Sequence, residues 1–423
     1  MRGVLILIFV TVLQLNQAQA QAQNEARMWT NAKGQSMEAK YLNKRGSTTA
    51  DLEVQLQLAN GSVVWYAVAG LSQFDKSYVA EQVAVDEEVL ALQLHEAKYA
   101  VALNKQMQVN ANRIWPSQVN MNASDGNIEL VKKDEHGMLH YETDHYRFIS
   151  DIELAGTAMS NFCRMFEATH AYAEEIPFFY DMHLEEDEKT TIYVFNRSYD
   201  YLKYGGGVVG SAGYYYFEGD KEFIVVCFDY LGVKRTGDKV KFDYQGNSST
   251  IPHEIVHSLT DRAYYHNDMK WFTEGIAEYM SNTPYANNGS YRTSAADIKR
   301  VLVPYITGYG YQNSGGLNLG EQIRIPSLWA YMTQPNFFSS NDSYTTKINY
   351  MLGYLVMYYL INQDGKGKGE RLKAFTKAVR VRDVEAPIQP LIKQYILDGR
   401  TPEQLDLDFA TAMKELGITI RYN

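Results

Sequence analysis

The stretch TIPHEIVHSLTDRAYYHNDMKWFTEGIAEYM, Thr250 to Met280, places His253 and His257 four residues apart around Glu254, then Glu274 and Glu278 four residues apart. Residues i and i+4 of a helix share a face, so two imidazoles at this spacing can reach one ion. Glu254 lies beside them, where its carboxylate can reach an ion-bound water without being a ligand. Asn247, Ser248, Ser249 and Thr250 are cap candidates and Pro252 is tolerated in a first turn, so a helix is expected to start just before the motif. Ile255, Val256 and Leu259 give it a buried side. With nine histidines and 50 acidic residues in 423, H-[DE]-x-x-H arises by accident roughly 0.02 times per chain. The alternative is a histidine pair that merely packs or caps a helix.

A zinc ion that does chemistry takes three protein ligands and keeps a fourth position open, so a third ligand must follow. The extended pattern H-E-x-x-H-x-x-G-x-x-H fails, because Thr260 and Ala263 stand where it needs glycine and histidine. His266 and Asp268 fit no ligand spacing and read as loop residues, with Asp268 as a cap for the next helix. What remains is WFTEGIAEYM, a second helix ended by Ser281, Asn282 and Pro284, with Glu274 and Glu278 on one face.

HEIVH followed by W-F-T-E-G-I-A-E-Y resembles the gluzincin metallopeptidases, the thermolysin and aminopeptidase N superfamily. Carried over residue by residue, the resemblance implies one Zn2+ held by His253, His257 and Glu274, with Glu254 as general base. It also implies that Glu278 orients a ligand histidine and that Gly275 lets helix backbones approach. An imidazole ligand needs its other N–H held, which gives the Glu278 role a physical reason. In the aminopeptidase branch a Y-x-x-G tyrosine stabilises the oxyanion; NYMLGYLVMYYL matches at Tyr350 and Gly353, with Tyr354 one turn on. More of the chain is similar to the peptidase MA-like domains of exported bacterial proteins. The similar segments are YETDHYRFIS, Ala212 to Tyr215, and GRTPEQLDLDFATAMKELGI, so this resemblance covers about residues 139–420.

Working outward, residues 1–20, MRGVLILIFVTVLQLNQAQA, read as a signal peptide: Arg2, an apolar run from Val4 to Leu15, and a small-x-small ending. That run is shorter than the roughly 20 residues that span a bilayer. The expectation is an exported protein, periplasmic or extracellular, that does not span a membrane. Removing these residues takes away only Arg2 among the charged groups, leaving 39 basic against 50 acidic residues and a net charge of about −11. That balance argues against nucleic acid as a partner. The cluster Lys366, Lys368, Arg371, Lys373 and Lys377 is interrupted by Glu370 and reads as a solvated helix face. Cys163 and Cys227 are too few for a disulfide scaffold, although an exported chain permits one bridge.

Residues 25–82 form a small β-unit, with alternating stretches around the hairpin signal Asn60-Gly61. RMWTNAKG, LQLANGSVVWYAV and GLSQFDKSYV resemble the SH3-like barrel of Sla-type homology, which implies a peptide or cell-surface partner; a spacer without a ligand is the plain alternative. Residues 83–126 read as a helical linker, helix from Asp86 to Met107 and then an asparagine-rich stretch broken by Pro116. Residues 127–423 read as the site-bearing domain: a strand at HYETDHYRFIS, a helix near Ile152 to Ile176, a strand at TTIYVF, an aromatic-glycine section ending in EFIVVCFDY, then mostly helices. The fold class is α+β. GGGVVG, Gly205 to Gly210, formally matches the dinucleotide pattern, but SAGYYYFEG after it suits a hairpin rather than a helix.

Two functional readings remain. One is a secreted zinc peptidase acting on peptide or protein substrates; within it an aminopeptidase is an alternative, though the G-[AG]-M-E-N element that holds a substrate's α-amine is absent. The other is an exported binding or adaptor protein whose zinc domain is catalytically silent. The intact Glu254 favours the first.

Overall fold

The computed structural model describes residues 26–46, 52–80, 101–102, 105–110, 112–122, 126–154, 156–177, 189–207, 209, 211–218, 221–231, 234–236, 239–241, 249–265, 267–308, 319–334, 337–338, 343–382 and 386–423. The expected signal peptide and most of the expected linker helix lie outside these residues. The chain divides into two compact units, Met1–Ala102 and Leu103–Asn423.

In the first unit β1 (Arg27–Thr30), β2 (Ser36–Arg45), β3 (Glu53–Leu58) and β4 (Val63–Ala67) make an antiparallel sheet in sequence order. The β3–β4 hairpin turns at Asn60-Gly61, where Gly61 takes φ +81°, open to glycine without strain. Beyond β4 the chain returns to β1 through a bridge between Asn31 and Leu71. Buried Asp75 fastens that return, accepting from the Thr30 N–H at 2.8 Å, Ser72 Oγ at 2.9 Å and Arg27 Nη2 at 2.6 Å. The core is apolar around Trp29, Tyr41, Val54 and Leu56.

In the second unit, helices and strands mix as an α+β chain would. A short strand β5 (Gln118–Asn120) pairs with Ser290–Arg292. A six-stranded sheet follows from β6 (Glu129–Lys133), β7 (Leu139–Glu142), β8 (Tyr146–Ser150), β9 (Thr190–Phe195), β10 (Gly213–Glu218) and β11 (Lys221–Cys227). Its order is β10-β11-β9-β8-β7-β6, with β8, β9 and β11 parallel and the outer strands antiparallel. Helix α1 (Thr157–Glu175) joins β8 to β9, and α2 (Ser198–Tyr204) follows β9. Then come α3 (Thr250–Leu259), α4 (Lys270–Ser281), α5 (Ala295–Thr307), α6 (Leu328–Thr333), α7 (Ser343–Asn362), α8 (Glu370–Val381) and α9 (Pro402–Glu415). Helix α7 is buried on every side from Met351 to Ile361, as an all-round apolar helix must be. No described helix is long and apolar enough to cross a membrane.

Several expectations need correction. HYETDHYRFIS is two strands, not one, because the polar Thr143-Asp144-His145 turns β7 back into β8. Residues 105–122, read as linker, belong with the second unit: Met107 and Val119 are in its core, and the Trp115 ring lies edge-on to Tyr279 at 5.7 Å. Asp268 does not cap α4; its carboxylate pairs with Arg382 at 3.2 Å. Of the basic cluster, Arg371 binds Asp364 and Asp398, and Lys373 Nζ donates to the Arg113 carbonyl at 3.0 Å. The two cysteines are free, buried thiols rather than a bridge. As expected, by contrast, GGGVVG is no dinucleotide turn: it follows helix α2 and precedes the β10–β11 hairpin, the reverse of the order such a turn requires.

Candidate metal centre

Helix α3 buries Ile255, Val256 and Leu259, as its pattern required, and so turns His253 and His257 toward α4. Of the expected caps, Asn247 and Ser248 lie outside the described residues and the Ser249 side chain does not cap the helix; the His253 N–H bonds to the Ser249 carbonyl at 3.1 Å. Its far end is fixed by Asp261, which forms a buried ion pair with Arg380 of α8. Helix α4 lies against α3 and α7. Its approach to α7 depends on two facing glycines: a Cβ on Gly275 would stand 2.9 Å from the Gly353 carbonyl oxygen, and one on Gly353 3.0 Å from the Gly275 Cα. The glycine of Y-x-x-G therefore has a packing reason, and so does the residue next to Glu274.

These elements bring three donor atoms together. His253 Nε2 and His257 Nε2 are 3.1 Å apart, and each is 3.3 Å from Glu274 Oε2. Tetrahedral ligands held about 2.0–2.1 Å from one zinc ion stand about 3.3–3.4 Å from each other, so the triangle has the size a single ion needs. His253, His257 and Glu274 are the only such group among the described residues. Glu274 is 5% exposed. Burial favours its neutral form, but the two imidazoles beside it outweigh that and hold its carboxyl far below the usual range. Burial likewise opposes charge on His253, and the bonds to Glu274 and Glu278 overcome it, raising that imidazole well above its ordinary value.

The surroundings orient the donors. Glu278 Oε1 is 3.3 Å from His253 Nδ1, while its Oε2 accepts from Asn282 Nδ2 at 3.1 Å and from the Tyr305 hydroxyl at 3.2 Å. Glu254, the expected base, stays outside the triad; its Oε2 accepts the Tyr215 backbone N–H of β10 at 2.8 Å. Tyr350 lies beside the centre, its ring centroid 6.0 Å from that of His253. Burial, then the carboxylates of Glu274, Glu278 and Glu254, raise its pKa, so the phenol stays protonated and can donate. Tyr354 points elsewhere, into the core against Tyr279 and Tyr305.

Two residues escaped the sequence reading. The Tyr265 hydroxyl reaches both the His257 carbonyl and its Nδ1, and Tyr215 contributes a backbone N–H together with a ring stacked 6.5 Å from His257. Tyr265 is a tyrosine among 33, and although Tyr215 lies in the segment Ala212 to Tyr215 singled out above, its role is played by its main chain and leaves no side-chain signature. On comparison with known proteins, the chain matches no family profile, no curated protein and no solved structure.

Proposed function

We propose that this chain is an exported zinc peptidase of gluzincin type, with Glu254 as general base. The observation that carries the reading is the division of labour among adjacent side chains. Three donors, two buried and one partly buried, converge at ligand-to-ligand distances, and a further side chain, the Glu254 carboxylate, is held just outside them. A site that only bound a structural ion would have no use for that carboxylate. The four-stranded antiparallel order of the first unit and its return bridge support an SH3-like barrel, and the resemblance alone implies a peptide or surface partner for it.

A zinc ion bound by His253, His257 and Glu274 would supply a Lewis acid and bring the pKa of a water toward about 7. The chain's own groups do the rest. Glu254 keeps Oε2 on the Tyr215 N–H, which fixes the carboxylate and leaves Oε1 to take the attacking water's proton and pass it to the leaving amine. The Tyr350 hydroxyl donates to the oxygen that gains charge as the carbonyl is attacked. Glu278 holds His253 at Nδ1 and is itself held by Asn282 and Tyr305. Strand β10 ends the sheet next to the site, and an edge strand offers main-chain groups to an extended peptide.

Metal content and hydrolysis of a mixed peptide panel, measured on wild type and His257→Ala, test this reading. One zinc per chain and chelator-sensitive cleavage are expected of the first, and neither of the second. Full zinc occupancy in the variant would overturn the ligand assignment.

A further inference from the structure

The Tyr265 hydroxyl lies 2.5 Å from the His257 carbonyl oxygen and 3.2 Å from Nδ1 of the same residue. A carbonyl oxygen can only accept, so the single hydroxyl proton of Tyr265 is committed to it. The phenol oxygen can then meet Nδ1 only through a lone pair, and Nδ1 must carry the ring proton. In the neutral ring Nε2 then keeps its lone pair, and it faces Glu274 Oε2 at 3.3 Å. A lone pair facing an ionised carboxylate calls for a cation between them, a metal ion or, in metal-free protein, a proton on Nε2.

We propose that Tyr265 is the positioning residue of His257: it fixes the tautomer that presents Nε2 to a metal, as Glu278 does for His253. The inference rests on the zinc reading above and deepens it. The two histidines are thereby held differently. His253 gives its Nδ1 proton to a carboxylate, whereas His257 gives it to a neutral phenol anchored on its own backbone. The ring of Tyr265 is locked for this task by Tyr215 at 6.1 Å and Phe217 at 5.0 Å, and Tyr215 also supplies the N–H that holds Glu254. One tyrosine cluster therefore orients a ligand on one side and the base on the other.

The test compares wild type with Tyr265→Phe, which removes one oxygen and keeps the ring. In metal-free protein, 15N chemical shifts of the histidine side chains report the tautomer of His257 directly. At a pH where the ring is neutral, wild type should carry its single proton at Nδ1, and the variant should lose that fixed preference. Zinc affinity, read by chelator competition, should fall about 10- to 100-fold while the thermal midpoint of metal-free protein is nearly unchanged. Adding Tyr265→Phe to Glu278→Gln should multiply the two losses, since each acts through a different histidine. A neutral wild-type His257 protonated at Nε2 alone, or a zinc affinity within twofold of wild type in Tyr265→Phe, would overturn the proposal. Because the tautomer is measured without metal, it decides the role of Tyr265 even if wild type were to bind no zinc, an outcome that would sink the peptidase reading instead.

Discussion

Replacing Gly275 by alanine probes the link between helix packing and the site. The added Cβ would stand 2.9 Å from the Gly353 carbonyl oxygen and 3.1 Å from Met357 Cγ. Non-bonded heavy atoms settle at about 3.5–4.0 Å, so relief needs a displacement of about half an ångström. The obstacle is backbone, so α4 and α7 must move apart rather than one side chain rotate. Overpacking of this kind costs about 1–3 kcal/mol. Alanine's better helix propensity returns up to about 1 kcal/mol. The net expectation is a loss of about 1–2 kcal/mol, seen by calorimetry as a fall of about 1.5–3 °C in the midpoint of metal-free protein. Because Glu274 is the adjacent residue, zinc affinity should fall as well, by about tenfold. Gly353→Ala, whose Cβ would meet the Gly275 Cα at 3.0 Å and the Tyr331 hydroxyl at 3.1 Å, should act in the same direction. If Gly275→Ala melts at or above the wild-type temperature with unchanged zinc affinity, the close approach of these helices does not set the position of Glu274.

Tyr350→Phe should lower kcat by about 10²- to 10³-fold with zinc content and midpoint preserved, and a change of only a few-fold would remove Tyr350 from the chemistry. His145 gives a pH dependence: burial lowers its pKa, but the bond to Glu167 at 2.6 Å and that carboxylate's charge outweigh it, so the folded value is raised. A raised value stabilises fully below the unfolded histidine's pKa of about 6.5, and the contribution is lost as pH rises through the folded pKa. His145→Gln should therefore cost more stability near about pH 5.5 than near about pH 9, by urea denaturation; equal costs would refute the pairing. A chain starting at residue 103 should fold, whereas one starting at 127, which deletes β5 and Trp115, should unfold at lower urea; equal midpoints would restore the linker reading.

The histidine pair was readable because helix geometry dictates its spacing, and the second helix because its glutamates repeat at the same interval. The glycine next to Glu274 was readable through the resemblance, and its packing reason appears only once Gly353 is brought against it. The segment GRTPEQL also gains physical content. Arg400 binds Asp364 at 3.0 Å, and the Thr401 side chain caps α9 by accepting the Gln404 N–H at 3.2 Å. What stayed hidden depends on tertiary contact. Strand β5 is polar and asparagine-rich, so its composition reads as linker, and only its backbone pairing with Ser290–Arg292 makes it a strand. Asp268 has the chemistry of a cap, but Arg382, 114 residues away in sequence, claims its carboxylate. Tyr215 serves through an N–H that every non-proline residue has. Tyr265 stands eight residues after His257, outside any ligand or helical interval, and meets it only because the chain turns back beyond Leu259.

Glu254→Gln separates base from ligand more directly than any other change, because it keeps the side chain's shape and removes its charge. The measurement is the zinc stoichiometry of the purified variant together with its turnover of a peptide that wild type cleaves. The account predicts one zinc per chain, as in wild type, with turnover reduced by orders of magnitude. A variant that loses its zinc would make Glu254 a ligand, and one that keeps both zinc and wild-type turnover would contradict the role of Glu254 as the base.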